Sequence, residues 1–146
     1  MKSFVKLRIS GVGLNLQEIS DQLGLAPDQA YKKGDACAHR EHGGEAAAYH
    51  EDCWMVGLES DEDMTVEENV ERLVSMLISS SVYLKALSKE HNVTVWVSAY
   101  PDAEQANIHI AAPTIAALSE IGAALDCSTL FLKDFYDGGP QTASGQ

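Results

Sequence analysis

The sequence predicts an α+β domain, in which a mostly antiparallel sheet of about five strands carries helices packed on one face. Residues 4–10 and 93–100 alternate between apolar and polar side chains, which is typical of half-buried strands. Residues 66–78 repeat apolar side chains at helical spacing. A short alternating run over 107–111 follows 93–100 closely enough to form an antiparallel hairpin with it. Strands joined partly by helices and partly by a hairpin indicate this class.

The first strand, over residues 4–10, leads into the best-defined helix of the chain. Asn15 can cap that helix, and Glu18 three positions later completes a capping-box pattern. Gly24 is placed to end the helix, and Pro27 prevents its resumption. The segment therefore predicts strand, loop, helix and turn in that order.

The middle of the chain repeats these signals. Residues 53–60 alternate again, so we expect a second strand there with Trp54 in the core. Thr65 and Glu68 form a capping box at the start of the helix over 66–78. A serine run weakens the end of that helix, so a second, shorter helix should follow and end by Lys89.

The last part of the chain predicts a further helix and strand. Pro113 opens the helix, and residues 126–132 follow as the closing strand. Residues 6–24 and 107–125 both read as strand, loop and helix, which is the pattern that a strand–helix duplication in a ferredoxin-like variant would leave.

Length and composition favour one cytoplasmic domain. The chain of 146 residues can bury a core of its own, which we expect over 1–136, followed by a disordered tail over 137–146. Its three cysteines are an odd number, which argues against a disulfide framework and for a reducing compartment. We find neither a signal peptide nor an apolar run of membrane-spanning length in the sequence.

The charge balance is strongly acidic. The chain has 22 acidic and 10 basic residues, for a net charge of -12. Nucleic acids and anionic membranes are held mainly by cationic side chains, so we expect neither as a partner. Net charge alone favours a basic protein partner, although acidity also serves solubility.

A loop rich in histidine suggests a metal site. The stretch from 35 to 52 has no periodicity, and long loops of that kind are often functional. With the residue after it, it gathers five candidate zinc ligands, which are Cys37, His39, His42, His50 and Cys53. Zinc takes about four N or S ligands, so the cluster is large enough. Its spacing matches no standard finger, and Cys53 can instead be a small buried core residue.

The face of the sheet opposite the helices is the second candidate site. If their strands are neighbours, a mixed set of cationic and aromatic side chains projects from it, namely Lys6, Arg8, Trp96, Tyr100 and His109. Such a surface suits a carboxylate-bearing ligand, a peptide or a second copy of the chain. The alternative is a half-solvated face with no partner.

No stretch carries a specific catalytic signature. The sequence has no Gly-x-Ser-x-Gly elbow and no phosphate loop, and Gly11 and Gly13 lack the rest of a dinucleotide-binding pattern. We therefore expect a non-enzymatic binding or protein-interaction module, either homodimeric or neutralising a basic partner. The alternative is a zinc-dependent enzyme that uses the loop over 37–53.

Several motifs together resemble a known family. They are the strand ending in RISG, the helix ending in LGL before Pro27 and Ala30, the turn that joins Tyr31 to KGD, and the late LSEIGAALDCSTLF. This pattern is similar to the uncharacterised bacterial family known as domain of unknown function 4279. The resemblance implies a fold and brings no catalytic or ligand residues.

Overall fold

The computed structural model describes residues 1–40, 46–61, 63–103 and 105–130, with the backbone alone at 38–40 and 46. Its strands are β1 (Lys2–Gly11), β2 (Gln29–Tyr31), β3 (Ala36–Arg40), β4 (Ala46–Ala48), β5 (Asp52–Glu59), β6 (Asn92–Tyr100) and β7 (Ala124–Thr129). Its helices are α1 (Leu16–Leu23), α2 (Val66–Leu77), α3 (Ser81–Leu87) and α4 (Ala112–Glu120), with a 3-10 turn over Ile78–Ser80 between α2 and α3.

In the described part of the chain the main sheet has five strands in the order β2-β5-β1-β6-β7, and β3 pairs with β4 in a small second sheet. The pairings up to β6 are antiparallel, whereas β6 and β7 are parallel. Parallel neighbours need a crossover connection, and α4 supplies it. The predicted α+β class and the mostly antiparallel sheet of about five strands are confirmed, and the one parallel pairing, between β6 and β7, makes the sheet mixed.

The core lies between one face of the sheet and the helices. Val5, Leu7 and Ile9 of the central strand β1 are fully buried and pack in one cluster with residues of α2 and α3. Trp54 is also fully buried, and its indole Nε1 donates a hydrogen bond to Ser20 Oγ of α1 at 3.0 Å. The predicted place of Trp54 in the core is confirmed.

The predicted N-caps at Asn15 and Thr65 and the end of α1 at Gly24 are confirmed, whereas the return hydrogen bond predicted from the Asn15 amide to the Glu18 side chain is absent from the described contacts. The Asn15 side chain accepts a hydrogen bond from the Glu18 amide at 3.1 Å, and Gly24 ends α1 in the left-handed conformation with φ of 65°. At the start of α2, Thr65 and Glu68 exchange both hydrogen bonds of a capping box.

The prediction of a strand over 107–111 is wrong. All of these residues are described, and they form an irregular segment outside the sheet. Ile108 and Ile110 alternate because both pack partly buried against the core. The predicted hairpin is therefore absent, and the proposed strand–helix repeat lacks its second strand.

The segment over 35–52, expected to be an irregular loop, contains β3 and β4. Backbone hydrogen bonds anchor the pair, since Gly34 N donates to Tyr49 O at 2.9 Å and Tyr49 N donates to Asp35 O at 3.0 Å. The short strand β2 was not predicted either. The predicted tail over 137–146 and the end of the predicted strand over 126–132 lie outside the described residues.

Candidate functional site

The second face of the main sheet carries polar and aromatic side chains in place of core residues. We call this surface the open face. Its residues are Lys2, Phe4, Lys6 and Arg8 of β1, Met55, Gly57 and Glu59 of β5, Thr94, Trp96, Ser98 and Tyr100 of β6, and Asp126 and Ser128 of β7.

Two cations and one indole occupy the centre of the open face. Lys6 lies directly opposite Trp96 in the β1–β6 pairing, and its ammonium is 5.5 Å from the centre of the indole ring. The guanidinium of Arg8 is 5.1 Å from the same ring. Both distances fall in the range of cation–π attraction. Trp96 therefore stays half-buried beneath charged groups on a surface that no described helix covers.

The three cations of β1 differ in their ion pairs. Lys2 is paired with Glu59 at 2.8 Å, and Arg8 with Glu51 at 3.3 Å. Within the ranges that the structure describes, no carboxylate lies in ion-pair distance of Lys6. Of these three groups, the Lys6 ammonium is therefore the one that can bind a carboxylate of another molecule without breaking an ion pair described here.

One end of the open face is closed by two tyrosines. The rings of Tyr31 and Tyr49 are stacked, with centroids 3.5 Å apart and an interplanar angle of 11°. Burial lowers the pKa of Arg8, but hydrogen bonds to Cys53 and Tyr31 outweigh it, so the net pKa is raised. Burial has the opposite effect on the neighbouring Tyr31 phenol and raises its pKa. Cys53 is fully buried at this end of the open face, whereas Gly57 and Glu59, further along β5, are exposed.

A cavity of about 380 Å³ lies at the other end of the open face. It forms over Gly57, where the absence of a side chain leaves a depression between Lys6 and Asp28. Phe4 and Tyr100 line it and meet edge to face, with ring centroids 6.0 Å apart. The open face thus combines exposed aromatic edges with charged groups of both signs.

The structure places four of the five predicted surface residues on the open face: Lys6, Arg8, Trp96 and Tyr100. Their role as ligand or interface residues stays a prediction. His109 lies elsewhere, exposed in the irregular segment over 107–111 beside Thr65 and Glu67 at the start of α2. Its predicted place on the open face was wrong because the strand that was to carry it there does not form.

The predicted zinc ligands are only partly described. Cys37 is half-buried in β3, His50 is exposed and Cys53 is buried. The side chain of His39 and the whole of His42 lie outside the described residues. Among the residues that are described, no three His, Cys, Asp or Glu side chains are grouped so that they could hold a metal ion. The zinc site stays a prediction.

A buried carboxylate that no sequence pattern predicted joins two loops of the domain. Asp52 accepts hydrogen bonds from the amides of Gly13 and Leu14 at 2.9 Å and of Lys33 at 2.7 Å, and it pairs with Lys32 Nζ at 3.2 Å. The Lys33 amide, followed by the other donors, lowers the pKa of Asp52 to about 2 against the opposing effect of burial. Asp52 therefore joins the β1–α1 loop to the turn after β2, which fits a structural role.

Fold and surface together define a small α+β domain whose mixed sheet has helices on one face and an open face of cations and aromatic rings. The chain belongs to the family Domain of unknown function (DUF4279), whose model matches residues 1–132. The chain has no significant match among curated proteins or among solved structures. Among the described residues, none of the helices has the length and apolar character needed to cross a membrane.

Proposed function

We propose that this domain is a protein-interaction module that associates with a second copy of itself through the open face. The observation that carries the proposal is the Lys6 ammonium, which lies on Trp96 without a carboxylate partner among the described residues. Net charge alone favours a basic partner, but this surface favours a carboxylate-bearing one. A second copy offers such groups, since the chain has 22 acidic residues.

Aromatic residues on the open face supply the apolar part of the proposed interface. Phe4 is 38% exposed and Trp96 is half-buried, so both have area left to bury. Tryptophan is among the residues that contribute most to binding when a partner desolvates it fully. The surrounding charges then fix the orientation of the partner more than they add to affinity.

Sedimentation velocity tests the proposal directly. Over about 1 to 500 µM, the wild-type chain should change from monomer to dimer, and Trp96→Thr should weaken the association by about thirtyfold. The control is Val82→Ala, which trims a side chain of α3 that is 85% exposed, away from the sheet. It should dimerise like the wild type. A wild-type chain that stays monomeric throughout this range would refute the proposed function.

A further inference from the structure

We infer that the two copies are related by a two-fold axis that runs along β6, so that Lys6 of each copy meets Asp126 of the other. The inference rests on the proposed function and adds the arrangement of the two sheets. It follows from the order of three residues across the open face and from the rules of two-fold symmetry.

Lys6, Trp96 and Asp126 form one row across neighbouring strands. Lys6 of β1 pairs in register with Trp96 of β6, and Trp96 pairs with Asp126 of β7. Strands lie about 4.8 Å apart, so the backbones at Lys6 and Asp126 are about 10 Å apart on either side of the indole. Asp126 is exposed, and no described cation lies in ion-pair distance of it. Among the described residues, the row therefore has a cation without an ion pair at one end and an anion without an ion pair at the other.

An axis along β6 makes this row complementary to itself. In a two-fold interface each contact occurs twice, and an axis along a strand exchanges the strands on its two sides. β1 of one copy then lies over β7 of the other. Lys6 meets Asp126 at both ends of the row, and the two Trp96 rings meet at its centre. Face-to-face sheets keep their strand directions within about 30° of each other, which this arrangement allows.

Axes that superpose β1 on β1 bring like charges together. An axis along β1 places β1 of one copy over β1 of the other. An axis across the strands, through the Lys6–Trp96–Asp126 row, does the same. Lys2 and Arg8 already have carboxylate partners, so the direct conflict is between the two Lys6 ammonium groups. Like charges in direct opposition across an interface are unfavourable.

An axis along β5 is the strongest competitor, because it brings Lys6 of one copy toward the β2 side of the other, where the Asp28 carboxylate lies beside Gly57. The Asp28 carboxylate, however, already accepts a hydrogen bond from the Gly57 amide at 2.6 Å. The stacked Tyr31 and Tyr49 also lie at this side of the sheet. Among the described residues, Asp126 has no such hydrogen bond to its carboxylate and no aromatic stack beside it. This difference favours the axis along β6.

Charge reversal in two different chains tests the axis. Lys6→Glu alone and Asp126→Lys alone should each weaken self-association by at least about tenfold, because each places two like-charged pairs in the interface. An equimolar mixture of the two variants should form a heterodimer within about threefold of wild-type affinity, since both pairs are then attractive again. Native mass spectrometry separates the heterodimer from both homodimers by mass.

Matched controls separate specific pairing from net charge. Lys89→Glu and Glu90→Lys make the same charge changes at exposed positions after α3. Each alone and their mixture should associate like the wild type apart from a small general charge effect. Circular dichroism melting checks that every variant is folded, and Asp126→Asn, which removes the charge without reversing it, should weaken association less than Asp126→Lys.

The outcomes distinguish the inference from the function on which it rests. If the wild type dimerises and Trp96→Thr disrupts it, but the mixture of Lys6→Glu and Asp126→Lys is no tighter than either variant alone, the axis along β6 is overturned and the proposed function stands. Rescue of Lys6→Glu by Asp28→Lys would overturn it in favour of the axis along β5. A monomeric wild type would overturn both.

Discussion

A glycine pair offers a sharp test of how the end of α4 packs against α3. Gly122 and Gly24 both have left-handed backbones, with φ of 73° and 65°. A Cβ atom added at Gly24 would meet nothing within 4 Å, whereas one at Gly122 would lie 2.4 Å from Ser88 Oγ and 3.1 Å from Lys85 Cα. The two sites therefore share one backbone cost and differ in packing alone.

Replacing each glycine by alanine should give unequal losses of stability. The left-handed conformation costs an alanine about 1–2 kcal/mol, and this should be nearly the whole effect of Gly24→Ala. Gly122→Ala adds overpacking, which costs about 1–3 kcal/mol more, because the Lys85 backbone cannot rotate away as a side chain can. For Gly122→Ala we therefore expect a free energy of unfolding about 2–5 kcal/mol lower than that of the wild type.

Urea denaturation followed by tryptophan fluorescence measures both losses, and an unchanged slope shows that the unfolding transition is comparable. Adding Ser88→Gly to Gly122→Ala removes the two closest contacts and should recover at least about 1 kcal/mol in a double-mutant cycle. Equal losses for Gly24→Ala and Gly122→Ala, or no coupling with Ser88, would contradict the packing described between α3 and the α4–β7 connection.

Two further predictions concern the loops. The pKa of Asp52 is about 2 in the folded chain and ordinarily near 4, so its contribution to stability is present above pH 4 and should be lost as the pH falls from about 4 to about 2. Asp52→Asn should flatten that part of the pH–stability curve, and an unchanged curve would contradict the anchoring role. For the predicted zinc site, elemental analysis of untagged protein should give about one zinc per chain, and a chelator should release the metal without unfolding the domain. Protein that is free of metal at stoichiometric level ends that prediction.

Local signals made much of the fold predictable. The caps at Asn15 and Thr65 depend on residues three positions apart, so they can be read without knowing the tertiary structure. Alternation in β1 and β6 likewise assigns each side chain to a face. Lys6, Arg8 and Trp96 could therefore be placed on one surface once these strands were taken as neighbours.

The wrong and missed elements depend on distant contacts. Residues 107–111 have the period of a strand, but Ile108 and Ile110 lie partly buried against the core and the segment pairs with no strand. β6 instead takes β7 as its neighbour; the helix and strand of this crossover were predicted, but no local pattern indicates their pairing with β6. β2 has three residues and is defined by its pairing with β5 rather than by its own sequence.

The same cause limited the prediction of the site. Asp126 was expected to begin a strand, but its place beside Trp96 follows from the parallel register of β7. The ion pair of Arg8 with Glu51 and the stack of Tyr31 on Tyr49 join segments far apart in sequence. Sequence periodicity gives the face of a side chain, but it does not give the neighbours that neutralise or cover it.

The central position of β1 has a consequence for how the chain folds during synthesis. Val5 pairs with Leu58 and with Val97, which follow it by 53 and 92 residues. A ribosome adds about 5–20 residues per second, so the apolar side of β1 stays uncovered for several seconds until both β5 and β6 have emerged. Contacts of such wide sequence separation also slow folding in free solution. Chaperone binding to nascent chains should therefore be strongest before β6 is translated and should fall once it has left the exit tunnel.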